Sequence, residues 1–88
     1  MIPISEYELN TTFSKALKTR LKQELKGEIV CKLFGDTLYV TIYGVNDIIF
    51  KYTWYNLTSE IVQGLTSERL SQIIVKRYRQ YITNLFFF

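Results

Sequence analysis

Apolar side chains recur at Phe13, Leu17, Leu21 and Leu25, the spacing of one helical face, while Lys15, Lys18, Lys22 and Lys26 gather on another. At about 100° per residue, with Phe13 as zero, the apolar four span roughly 0–120° and the lysines roughly 140–220°. No acidic residue interrupts the lysine stripe. The helix is expected to run to about Lys26, with Gly27 placed to take the left-handed conformation that closes helices. Its start is open: Ser5 and Glu8 have capping-box spacing, and Asn10, Thr11 and Thr12 offer later caps.

The period then changes from helical to alternating. Glu28 to Phe34 and Thr37 to Tyr43 both alternate, and Gly35-Asp36 between them is a two-residue hairpin signal. Pairing Phe34 with Thr37 sets Leu33 against Leu38, Cys31 against Val40 and Ile29 against Ile42, so turn and hydrophobic pattern select the same register. A third strand, Ile48 to Tyr55, places Ile48, Phe50, Tyr52 and Trp54 on one face. Keeping Ile42 and Phe50 on the same side requires an odd connection, either Val45 to Asp47 or Tyr43 to Asp47, and Asn46-Asp47 suits such a turn.

Two helices close the chain. A short one is expected from about Ser59 to Leu65, capped by Thr58 and weakened by Gly64. Thr66 then caps a last helix to about Leu85, with Leu70, Ile74, Tyr78, Tyr81, Ile82 and Leu85 on its core side and Arg69, Gln72, Lys76, Arg79 and Thr83 opposite. The fold expected is α+β, one small domain over residues 1–88 in the order α-β-β-β-α-α, a three-stranded antiparallel meander with its helices packed on one face.

Composition agrees with one packed domain: the 88 residues are 48% apolar and 16% aromatic. The single cysteine excludes an internal disulfide, the N-terminal segment lacks the charged and apolar regions of a signal peptide, and no apolar run would span a bilayer. A cytoplasmic location and no membrane are expected. The net charge of +3 is mild, so its distribution matters more than its sum.

Catalytic chemistry has few candidates. Histidine is absent, which removes the commonest general base and zinc ligand together. Cys31 alternates with Ile29 and Leu33 and reads as a core residue. Asp36 and Asp47 sit in predicted turns, and Glu24 is placed to pair with Arg20 four residues before it. No enzyme activity, metal, cofactor or small-molecule substrate is expected.

Two surfaces remain as candidates for a partner. One is basic: if the long helices lie side by side, Lys15, Lys18, Lys22 and Lys26 join Arg69, Lys76 and Arg79 in one field suited to nucleic acid or an acidic protein. The other is the uncovered sheet face, with Val30, Lys32, Phe34, Tyr39, Thr41, Tyr43, Ile49, Lys51, Thr53 and Tyr55. It suits stacked single-stranded bases, a homodimer or another protein, or cross-strand aromatic pairing that stabilises the sheet itself. Phe86, Phe87 and Phe88 form an apolar tail that belongs against the core or in an interface.

The α-β-β-β-α order resembles the double-stranded-RNA-binding domain over most of the chain. The likeness is one of element order. That family has basic residues at the start of its last helix and a histidine-bearing loop between its first two strands. Here those places hold Ser67-Glu68-Arg69-Leu70 and Gly35-Asp36, so its RNA contacts do not carry over. RNA-cleaving toxins of similar order use a histidine that this chain lacks. Size and order are also similar to small phage-encoded inhibitors, some anti-CRISPR proteins among them, although those that mimic DNA are acidic. The expectation is a non-enzymatic binding domain whose basic helical face engages nucleic acid or an acidic protein surface. The alternative is a protein-interaction or inhibitor module, homodimeric through the sheet face or the phenylalanine tail.

Overall fold

A computed structural model describes residues 6–86. Helix α1 (Glu6–Glu24) leads into strands β1 (Glu28–Phe34) and β2 (Thr37–Tyr43), a 3₁₀ turn (Val45–Asp47), strand β3 (Ile49–Trp54), and helices α2 (Leu57–Val62) and α3 (Ser67–Phe86). The sheet has the order β1-β2-β3 and both neighbouring pairs are antiparallel. The helices cover one face, α1 against β1 and α3 towards β3, and α1 and α3 pack on each other. This is the α+β meander expected from the pattern.

The first hairpin has the expected register, with Leu33 opposite Leu38, Cys31 opposite Val40 and Ile29 opposite Ile42. Gly35 turns the chain at φ +57, a conformation that costs glycine little. The second connection takes the shorter of the two odd lengths. The Gly44 amide donates to the Ile48 carbonyl at 2.8 Å, enclosing Val45 to Asp47, and Ile42 then faces Phe50. Asn46 and Asp47 both adopt positive φ, which their short polar side chains tolerate. Strand β3 is shorter than expected at each end. Ile48 is still leaving the 3₁₀ turn, and the left-handed Asn56 redirects the chain just beyond Tyr55.

The first helix ends two residues early. Its last amide bond joins Leu25 to the Leu21 carbonyl, which leaves Lys26 beyond the helix. Gly27 takes φ +114, and a Cβ there would run into the Tyr43 carbonyl oxygen. At the other end, Ser5 lies outside the described residues. Asn10, Thr11 and Thr12 are not caps but lie inside α1.

The short helix starts at Leu57 rather than Ser59, because its cap arrives from elsewhere. Asp36 Oδ1 accepts from the Thr58 amide at 2.7 Å and from the Thr58 hydroxyl at 2.5 Å, and the Asp36 carbonyl accepts from the Leu57 amide at 3.0 Å. Asn56, the residue in the N-cap position, makes no side-chain cap bond. The helix also stops early, at Val62, since Gly64 takes φ +115 and the Leu65 amide turns back to the Glu60 carbonyl. Thr66 caps α3 as expected, its Oγ1 accepting from the Arg69 amide at 3.1 Å.

One core joins the layers: Phe13, Leu17 and Leu21 of α1, Ile29, Leu38, Val40 and Ile42 of the sheet, Leu57, and Leu70, Ile74, Val75 and Tyr78 of α3. Each fully buried Leu or Ile side chain contributes about 1.5–3 kcal/mol over its exposed state. Val75 and the buried Ser71 are on the side of α3 that meets α1, a contact the sheet-facing stripe did not include. Conversely, Tyr81 and Leu85 are exposed, not core. The core ends at Tyr78 and the half-buried Ile82, and α3 continues one more turn, with the Tyr81 ring leaning on Phe50 at 5.4 Å.

Candidate binding surfaces

The sites follow from how α1 is rolled against the sheet. Leu17 and Leu21 point into the core, and helical geometry then directs Arg20, Gln23 and Glu24 towards α3. Lys22 is about half a turn round the axis from Arg20 and Glu24, on the opposite flank. Lys18 is half-buried on that flank and close enough to Cys31 of β1 to act on its thiol. Lys18 therefore borders the β1 edge of the domain. Lys22 and Lys15, about 40° and 60° further round the axis, are exposed on the same flank of α1, and exposed Lys26 follows just past the helix end.

The single basic field expected across both helices is accordingly divided in two. Arg20, Lys76 and Arg79 line a groove of about 790 Å³ between α1 and α3, together with Glu24 and Glu68. Glu24 pairs with Arg79 at 4.0 Å instead of the expected Arg20, whose Nε donates to Ser67 Oγ at 3.2 Å. Arg69 stands outside the groove, on the first turn of α3. Arg20 was absent from the sequence-based site. Its signal is its place three residues after Leu17, on the side that meets a second helix rather than the sheet.

The second surface is the open face of the sheet, which none of the described helices covers. Phe34 (69% exposed), Tyr39 (41%), Tyr43 (43%) and Ile49 (48%) stand on it. Register places Lys32, Tyr39 and Thr53 in one row across the strands, Val30, Thr41 and Lys51 in the next, and Glu28, Tyr43 and Ile49 in the row after that. The Phe34 and Tyr39 rings meet edge to face, with centroids 5.9 Å apart. Tyr55 is also exposed, just past β3. Of the tail, Phe86 is exposed at the end of α3, and Phe87 and Phe88 lie outside the described residues.

The remaining polar chemistry is structural. Burial pushes the Cys31 thiol above its ordinary pKa, and Lys18 offsets only part of that rise. The hydrogen bonds from Thr58, first from its hydroxyl and then from its amide, hold the Asp36 carboxyl below its usual range against partial desolvation. Buried Asn10 completes the cluster by donating from Nδ2 to Thr58 Oγ1 at 3.0 Å, and Glu6 Oε1 lies 3.0 Å from the same hydroxyl. Among the described residues no group of three His, Cys, Asp or Glu side chains is arranged to hold a metal ion. No helix among them is long and apolar enough to cross a membrane.

No protein-family model, curated protein or solved structure matches this chain.

Proposed function

We propose that this chain is a non-enzymatic binding domain that engages nucleic acid through the lysine flank of α1. The observation that carries the reading is the row Lys15, Lys18 and Lys22 on the flank of α1 whose Lys18 adjoins β1, with no carboxylate between them on that side of the helix. Residues four apart on a helix are separated by about 6 Å along its axis, so the ammonium groups form a ladder of positive charge. Each lysine that neutralises a phosphate releases a counterion, which makes the affinity fall with salt. The groove between α1 and α3 is a weaker candidate for an anion, because Glu24 and Glu68 share it with its three cations.

Titration with labelled DNA and RNA at low and moderate salt tests the reading. Changing Lys15, Lys18 and Lys22 together to Gln is expected to weaken binding and to make the plot of log affinity against log salt shallower by up to about 2 for single strands and up to about 3 for a duplex. Binding that is absent at low salt, or unaffected by the triple change in a protein with an unaltered melt, would sink it.

A second reading has its own support in the exposed Tyr81, Leu85 and Phe86 on the last turns of α3. Apolar side chains extending past the core suit self-association. Light scattering should then give a dimer that Leu85→Ser with Phe86→Ser returns to a monomer.

A further inference from the structure

We infer that the open sheet face is a stacking platform for single-stranded nucleic acid, which leaves the platform over the β1 edge onto the lysine flank. The inference rests on the nucleic-acid reading and specifies its ligand.

The face pairs aromatic rings with positive charge. Tyr39 and Tyr43 stand on the central strand, exposed by about two-fifths, while Lys32 and Lys51 occupy the two edge strands on either side of them. The cations sit one row apart, Lys32 in the Tyr39 row and Lys51 in the Thr41 row. A chain crossing the sheet from β3 to β1 therefore meets Lys51, then Tyr39, then Lys32, with Tyr43 flanking Lys51 on the other side in the row of Ile49 and Glu28. Lys18 lies just beyond, on the helix-bearing side of β1, near Cys31. The path is therefore basic at both ends and aromatic between, the arrangement that binds bases by their π-faces and the backbone by charge.

Charge also decides against a second copy as the occupant. The only ionisable carboxylate that the strands place on this face is Glu28, against Lys32 and Lys51. Two such faces packed together would enclose four lysines with two glutamates, and unpaired buried ammonium groups are costly. An anionic polymer has no such penalty. A duplex fits poorly, because its stacked bases present no free ring faces to a sheet.

The test compares a fluorescein-labelled oligothymidine, the matching oligouridine and a DNA duplex of the same length. The proteins are wild type, Tyr39→Val with Tyr43→Val, and the triple lysine variant; valine keeps the strand propensity. The single strands are expected to bind more tightly than the duplex, the better of the two identifying DNA or RNA. The tyrosine variant is expected to lose roughly 5- to 100-fold in single-strand affinity. A chemical-shift map of wild type with the better oligonucleotide should move the Tyr39 and Tyr43 ring signals, a readout independent of any variant's folding. Equal binding of duplex and single strand, unmoved ring signals, or undiminished binding by a folded tyrosine variant would overturn the platform. If the lysine variant still loses affinity in that case, the lysine-flank reading stands without it. Absence of binding by any probe overturns both. A dimer in solution that the tyrosine variant dissociates would give the face to a second copy.

Discussion

Asp36 caps a helix that begins 21 residues further along the chain: its Oδ1 accepts from both the amide (2.7 Å) and the hydroxyl (2.5 Å) of Thr58. The turn of the first hairpin thereby holds the start of α2, and Asn10 ties α1 to the same point. Asp36→Ala is expected to lower stability by about 1 kcal/mol, the usual effect of losing an N-cap and no more, since Asp36 keeps contact with solvent. The effect depends on pH. The carboxyl titrates lower in the folded than in the unfolded chain, so its contribution is fully present above the unfolded carboxylate pKa and is lost as pH falls through the folded one. Urea melts of wild type and Asp36→Ala should differ at neutral pH and converge in acid. A gap that stays constant down to strongly acidic pH would show that the carboxylate charge is not what holds the cap.

Gly44 and Tyr78 should be energetically coupled. The Gly44 backbone is extended at φ −83, but a Cβ there would strike the Tyr78 hydroxyl while only touching its Cζ at an ordinary 3.4 Å. Gly44→Ala alone is expected to cost about 1–3 kcal/mol through overpacking. Adding Tyr78→Phe removes the obstructing oxygen, and a double-mutant cycle should return a favourable coupling of about 0.5–3 kcal/mol. Gly27→Ala offers the contrast, because its obstacle is the Tyr43 carbonyl and its φ is +114, so no side-chain truncation relieves it. Strict additivity at Gly44 and Tyr78 would refute the steric account.

Where two independent local signals coincide, as turn chemistry and alternation do at Gly35-Asp36, the sequence states the structure down to its register. The same holds for Thr66 and the faces of β3. The start of α2 was illegible because its cap is a residue on a different element, and no local pattern around Thr58 contains Asp36. The division of the basic field was hidden for a related reason. The lysine stripe is visible in one helix, but whether it adjoins α3 depends on the roll of α1, which is set by packing between elements. Val75 and Ser71 show the same limit, since an amphipathic stripe drawn for a sheet omits the side that meets a second helix.

Cys31 should be a slow thiol. Its burial raises the pKa and Lys18 only partly counters the rise, so at pH 8 less thiolate is present than for a free cysteine. Alkylation by iodoacetamide is expected to be several-fold slower than in the urea-unfolded chain, and Lys18→Gln should slow it further. A folded-state rate equal to that of the unfolded chain would contradict the half-buried placement of this side chain against the core.

The Glu24–Arg79 pair tests how firmly the groove between the long helices is held by charge. The two groups are 4.0 Å apart with more than half of each side chain exposed, a setting in which an ion pair is screened and costs side-chain entropy to hold. Arg79→Gln is therefore expected to change stability by no more than about 0.5 kcal/mol. Leu70→Ala, at the fully buried start of the α3 stripe, should cost about 2–5 kcal/mol by leaving a cavity in the shared core. Chemical denaturation of both variants, with the slope compared to confirm the same cooperative transition, checks the contrast. A loss at Arg79 approaching that at Leu70 would mean that charge rather than the Leu17–Leu21–Leu70 packing joins α1 to α3.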